Sequence, residues 1–297
     1  MGETHNHDEE NQSTQKLAIV AGINLVGFVA ELAGGLLFGS VALIGDALHM
    51  LFDAVAYVLA LGAVYIGRRT EPDGRWTYGL NRLEPLAAFL NGVLLVPMVG
   101  YLVWESYQRY LHPVEIEPLQ TAALAAGGLV LNIVSVYVIQ GRSMSLNERG
   151  AYYHLLGDTG ASVAVIVSML VIQFTGSKLA DPITAVIIAA IIVWSAIELI
   201  RESGAIFLQR SPVSVDDVRQ RILEIDGVAT VEDAHIWELS STLRVATVHV
   251  RDRTTTVDER DALNERISTI LASEYDADHV TVDLVSAGTG AERRREH

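Results

Sequence analysis

Residues 49–53 read "HMLFD": an imidazole four residues before a carboxylate, inside the strongly apolar run "VALIGDALHMLFDAVAYVLALGAVYIG". The same spacing returns in "HLLGD" at 154–158, inside "AYYHLLGDTGASVAVIVSMLVIQF". Helical residues four apart lie one turn above each other on one face, so His49 points with Asp53, and His154 with Asp158. If the two faces meet, two imidazoles and two carboxylates converge, which is the ligand number and type of a tetrahedral zinc site. The plainer alternative is two local hydrogen-bonded pairs. Cost favours the first: a charged carboxylate at the bilayer centre costs about 2.5 to 3.5 kcal/mol on insertion scales, and one shared divalent ion neutralises both acids. Asp46, three residues before His49, is an alternative ligand, a gate or a partner that orients His49. Against that, it follows Gly45 near the start of its run, as a helix N-cap would.

The elements that must position these groups are membrane helices. The chain has 297 residues, 50% of them hydrophobic, and a mean hydropathy of +0.31, more apolar than a soluble domain of this size. Six runs reach the roughly 20 apolar residues a span requires, at about 17–38, 43–67, 82–108, 119–140, 151–174 and 182–208. The first fifteen residues carry four acids and no basic group, so they lack the positive start of a secretory signal. Six spans put both termini on one side. Arg residues crowd "GRRTEPDGRWTYGLNR", the 4–5 connection (Arg142, Arg149) and the segment after the last span (Arg201, Arg210). The positive-inside rule therefore makes the termini cytoplasmic, in a multi-pass protein of the plasma membrane.

With no cysteine in the chain, thiolate sites and disulfides are excluded, and a transition metal must use His and carboxylate. Net charge is −15, and residues 212–297 hold 18 acidic against 10 basic groups, which argues against nucleic acid as a partner. Only two Lys stand against 19 Arg; an acidic, Lys-poor composition suggests a salt-loving prokaryote. No HExxH helix or Gly-x-Ser-x-Gly elbow is present, and a four-ligand site leaves no position for a catalytic water, so a membrane hydrolase is disfavoured. A metal sensor is disfavoured too, since an anchor has no need of six spans with two buried ligand pairs.

After "LQRSP" the pattern changes. Ser214 opens a helix, "VATVEDAHIWELS" and "TLRVATVHVRD" read as a β-hairpin, and "VDERDALNERISTILASEY" and "HVTVDLVS" add a helix and a strand. The order αββαβ fits a small ferredoxin-like α+β domain. The expected organisation is a disordered head over 1–16, where His5 and His7 lie, a six-span all-α bundle over 17–210, a cytoplasmic α+β domain over 211–287, and a disordered end over 288–297.

Together the stretches "GSVALIGDALHMLFDA", "TYGLNRLEPLAAFLNG", "RGAYYHLLGDTGASVAVI", "DPITAVIIAAII" and "HIWELS" resemble the cation diffusion facilitators, six-span exporters of divalent metals, over about residues 17–286. The resemblance implies a transport site at His49, Asp53, His154 and Asp158. It also implies proton-coupled efflux of Zn2+ from the cytoplasm and a homodimer joined through the cytoplasmic domain. In members whose cytoplasmic domain binds zinc as well, ligands fall near His235, His249 and Asp283. The His-rich loop of many members is absent from "GRSMSLNERG", and "EPDGRWTYG" lacks the His residues of a further bacterial site.

Overall fold

The structure is a computed structural model and describes residues 3–69, 74–140, 146–241 and 243–286. Its backbone forms two compact units, residues 1–75 with 86–201, and residues 76–85 with 202–297.

The first unit contains the spans. Helices α1 (Glu3–Phe38), α2 (Val41–Arg69), α3 (Leu83–Leu111), α4 (Pro118–Ile139), α5 (Leu146–Thr175) and α6 (Ala180–Phe207) each carry an apolar stretch long enough to cross a bilayer. α1 corrects the expected disordered head, because its backbone is helical from Glu3. A span already nucleated extends at little cost through helix formers such as Glu, Gln and Lys. The side chains of His5 and His7 lie outside the described residues. One apolar core joins α2 (Val41, Ala42, Leu43), α3 (Leu95, Met98, Val99, Leu102), α4 (Ala125), α5 (Val165) and α6 (Ala185, Ile188, Ala189, Ile192, Ala196). α1 packs on α2 and α4, and α4 on α5, so the ligand-bearing α2 and α5 share the α1–α4 side of the bundle.

Only Gly39 and Ser40 connect α1 to α2. Gly39 has φ +78°, and a Cβ there would lie 2.5 Å from the Glu115 carbonyl oxygen, so conformation and space both require glycine. The turn is further held by Glu117 N donating to Phe38 O (3.1 Å).

In the second unit α7 (Val215–Leu223) and α8 (Val257–Tyr275) cover one face of a sheet ordered β1 (Val228–Ser240), β2 (Leu243–Asp252), β3 (His279–Ser286). β1 and β2 are antiparallel, and β2 and β3 parallel, which the α8 crossover makes possible. The αββαβ order is the ferredoxin-like arrangement expected. Ser214 caps α7 through Asp217 N (3.3 Å), and Thr256 with Glu259 closes a reciprocal capping box on α8.

The box gives a pH-dependent contribution. The Thr255 N–H (2.9 Å), the Thr255 hydroxyl (3.1 Å) and the Thr256 N–H (3.2 Å) all donate to Glu259 Oε2, and these bonds hold its carboxyl below the ordinary 4.5. A carboxyl lowered in the fold stabilises it above the unfolded value, and the contribution disappears as pH falls through the folded value. The expected result is that opening of α8, followed by amide hydrogen exchange corrected for the intrinsic rate, increases below pH 4.5 in the wild type and increases less in Glu259→Gln, the remainder belonging to Glu274, whose carboxyl the bond from Arg221 also lowers. Thr256→Ala should lower α8 protection at neutral pH by about 1 kcal/mol.

Candidate metal site

α2 presents His49 and Asp53, and α5 presents Asp158, on faces that meet inside the bundle. His49 Nε2 lies 3.1 Å from Asp158 Oδ1 and 3.7 Å from Asp53 Oδ2. One ligand atom from each of the three falls within 4.8 Å of the others, and no other group of three or more such residues occurs among the described residues. His49 is 8% exposed, Asp53 5% and Asp158 4%, so the charges sit where water screens them least. His154 lies on α5 one turn before Asp158; its side chain is outside the described residues. One nitrogen and two carboxylate oxygens converging at this separation suit a borderline divalent ion, provided the imidazole is neutral and the acids ionised.

Asp46 stands beside this group and outside it. α2 begins at Val41, so Asp46 lies in the second turn and is not an N-cap. It is 1% exposed and accepts from Ser162 Oγ (2.9 Å), while Ser162 accepts from Asn132 Nδ2 (3.2 Å). Ser162 is four residues after Asp158 and Asp46 three before His49, so this polar link runs alongside the candidate ligands and ties α2, α5 and α4 together. Sequence reasoning missed three participants. Ser162 repeats the spacing of four beyond Asp158, which was a readable signal. So does Tyr57 beyond Asp53; its half-buried ring lies near both Asp53 and Asp158. Asp181 reaches α2 from 140 residues away, and nothing in the sequence announces that.

The second unit sets its candidate residues on the sheet face that α7 and α8 leave open. Asp233, His249 and Asp283 pair in one row across β1, β2 and β3. His235 follows two residues along β1, with Nε2 2.8 Å from Asp233 Oδ2. Burial works upward on the Asp233 carboxyl, but the His235 bond and charge, the Ala234 N–H and Arg219 outweigh it and leave the carboxyl below its ordinary range. His235, His249 and Asp283 are all exposed and do not form a tight ligand group within this one chain. His279 stacks edge-on with Tyr78, centroids 5.6 Å apart at 71°, from the 76–85 segment of the same unit.

Comparison with known proteins gives the family of the chain. The family description "Cation efflux transmembrane domain" matches residues 17–208, and "Cation efflux protein, cytoplasmic domain" matches residues 211–284. The chain is 36% identical over 287 residues to the metal cation efflux system protein CzcD of Cupriavidus metallidurans, covering 96% of this chain and 90% of the relative. To the zinc transporter ZitB of Escherichia coli it is 35% identical, covering 95% and 90%. To a "Cadmium, cobalt and zinc/H(+)-K(+) antiporter" of Bacillus velezensis it is 30% identical, covering 95% and 92%. The solved metal-bound C-terminal domain of CzcD from Cupriavidus metallidurans shares 36% identity with a TM-score of 0.22, spanning 25% of this chain and 99% of that one. With six spans, a cytoplasmic α+β domain and both family matches end to end, this chain belongs to the cation diffusion facilitators: it is a multi-pass membrane transporter of divalent metal cations, not an enzyme.

Proposed function

We propose that the protein exports zinc from the cytoplasm in exchange for protons, as a homodimer, through one tetrahedral site of His49, Asp53, His154 and Asp158. The observation that carries this reading is the convergence of His49, Asp53 and Asp158 from two different helices, all three buried. A zinc ion entering from the cytoplasm meets two neutral imidazoles and two ionised carboxylates, and α3 and α6 rock against the remaining spans to turn the site outward. Binding needs deprotonated ligands, so protons and zinc compete for the same atoms. An imidazole titrates near pH 6.5 when unperturbed, within the physiological range. A more acid exterior therefore protonates the ligands, displaces zinc and returns a proton-loaded site inward. Asp46, held by Ser162, fixes how α2 and α5 meet and so where His49 points. The names of the zinc transporter and antiporter relatives support the cargo and the coupling.

The test is zinc flux into proteoliposomes across an imposed pH gradient. One pH unit is 1.36 kcal/mol per proton, so the zinc accumulation ratio should change about tenfold per unit for each proton exchanged. Flux that ignores the gradient would overturn the antiport step.

In the cytoplasmic domain we propose a further zinc site, shared between protomers, that uses His235, His249 and Asp283; their placement on one open sheet face supports it. Zinc bound there should survive Asp53→Ala and be lost in His249→Ala, as counted by metal analysis of the purified protein.

A further inference from the structure

The N-terminus of α2 is completed by another helix. A helix leaves its first N–H groups without intrahelical acceptors. Ser40 Oγ takes one of them, from Leu43 N (3.1 Å). Two others turn to α6: Val41 N donates to Asp181 Oδ2 (2.8 Å) and Ala42 N to Asp181 Oδ1 (3.3 Å). The Ser40 hydroxyl also donates to Asp181 Oδ1, at 2.5 Å. Asp181 is 1% exposed and stands in the first turn of α6, so one carboxylate serves the positive ends of two helix dipoles. Beside it Arg109, in the last turn of α3, donates to Gly39 O (2.8 Å) and sets its charge near Asp181. Both helices of the rocking pair are thus fastened to the single α1–α2 turn. With the termini cytoplasmic, that turn is on the outer side. Behind it Val41, Ala42, Leu43, Leu102, Ala185 and Ile188 close into apolar core.

We infer that Asp181 is a positioning residue of the transport cycle: it holds the outer end of the ligand-bearing helix α2 against α6, and its release opens the site to the outside. Its hydrogen bonds go to Ser40, Val41 and Ala42, and it acts through the backbone of the helix that carries His49 and Asp53. A carboxylate suits the task, because it accepts three bonds at once with no donor of its own. The inference rests on the alternating-access reading above.

The chain has no cysteine, so a single introduced thiol reports on this seam without background. Ala185 is fully buried and one turn beyond Asp181 on the same face. Ser135 is equally buried, near the cytoplasmic end of α4. Each is replaced by cysteine in a separate sample, and the maleimide labelling rate is measured in detergent. Asp181→Asn should raise the rate at Ala185→Cys by about tenfold or more, the effect of losing one hydrogen bond to a charged group. Ser40→Ala, which leaves both backbone bonds, should raise it a few-fold. The Ser135→Cys rate should not change, and zinc binding should stay near wild type while turnover changes, so that kcat moves and KM does not. An unchanged Ala185→Cys rate in both variants, or an equal rise at Ser135→Cys, overturns the inference. If Asp181→Asn does not fold, the Ser40→Ala sample decides. Wild-type zinc flux keeps the two claims apart. Flux without a labelling response refutes only the role of Asp181, and absence of flux refutes the transport reading.

Discussion

Asp53→Ala is expected to reduce zinc flux in proteoliposomes by on the order of 100-fold or more, while the protein still folds and inserts. Losing even an outer partner of a metal ligand costs some 10- to 100-fold, and a ligand itself is worth more. The reason lies in the geometry. Asp53 is one of three groups whose ligand atoms lie within 4.8 Å of one another, and in the site proposed above alanine removes one of the two carboxylates that would offset a dication where water screens charge least. Folding should survive, since the substitution takes a charge out of a buried position and leaves a small apolar side chain. Metal analysis separates the outcomes: zinc retained at wild-type stoichiometry with normal flux would show that the ion is bound elsewhere.

Ile267→Ala should destabilise the cytoplasmic domain by about 2 to 5 kcal/mol. Ile267 is fully buried among Val218, Ile222, Ala246, Val248 and Leu271, where α8 meets the sheet, so alanine leaves a cavity in close-packed core. Domains of this size hold about 5 to 15 kcal/mol in total, so the loss is a large share. Hydrogen exchange in 211–286 should accelerate strongly while the spans remain protected. In the homodimer proposed above, the concentration dependence of dimerisation should shift with it. Uniform protection across β1–β3 in the variant would show that the core lies elsewhere.

Much of this was legible before any coordinates. Length and hydropathy determine the six spans, because a bilayer leaves a chain few other options. The αββαβ tail follows from β-branched alternation interrupted by helical stretches, the first opened by the capping sequence at Ser214. The His49/Asp53 pairing within α2 is a matter of helical period alone. That α2 and α5 meet, however, depends on packing between segments more than 100 residues apart; period gives each face a direction and no partner. Asp46 shows the same limit: its position suggested a helix start, yet the start lies five residues earlier, fixed by an acceptor on α6. The head misled in the opposite way, because polar composition gives no hint that the helix of the following span extends back into it.

The two-residue link between α1 and α2 has a mechanical result. Without slack at Gly39 and Ser40, the first two spans form a single stiff piece, and α1 turns Ile19, Leu25, Val26, Val29, Leu36 and Leu37 outward from the bundle, toward acyl chains. Any displacement of the neighbouring helices relative to that piece shears protein against lipid. In the transport cycle proposed above, membrane thickness and viscosity should therefore enter the turnover rate.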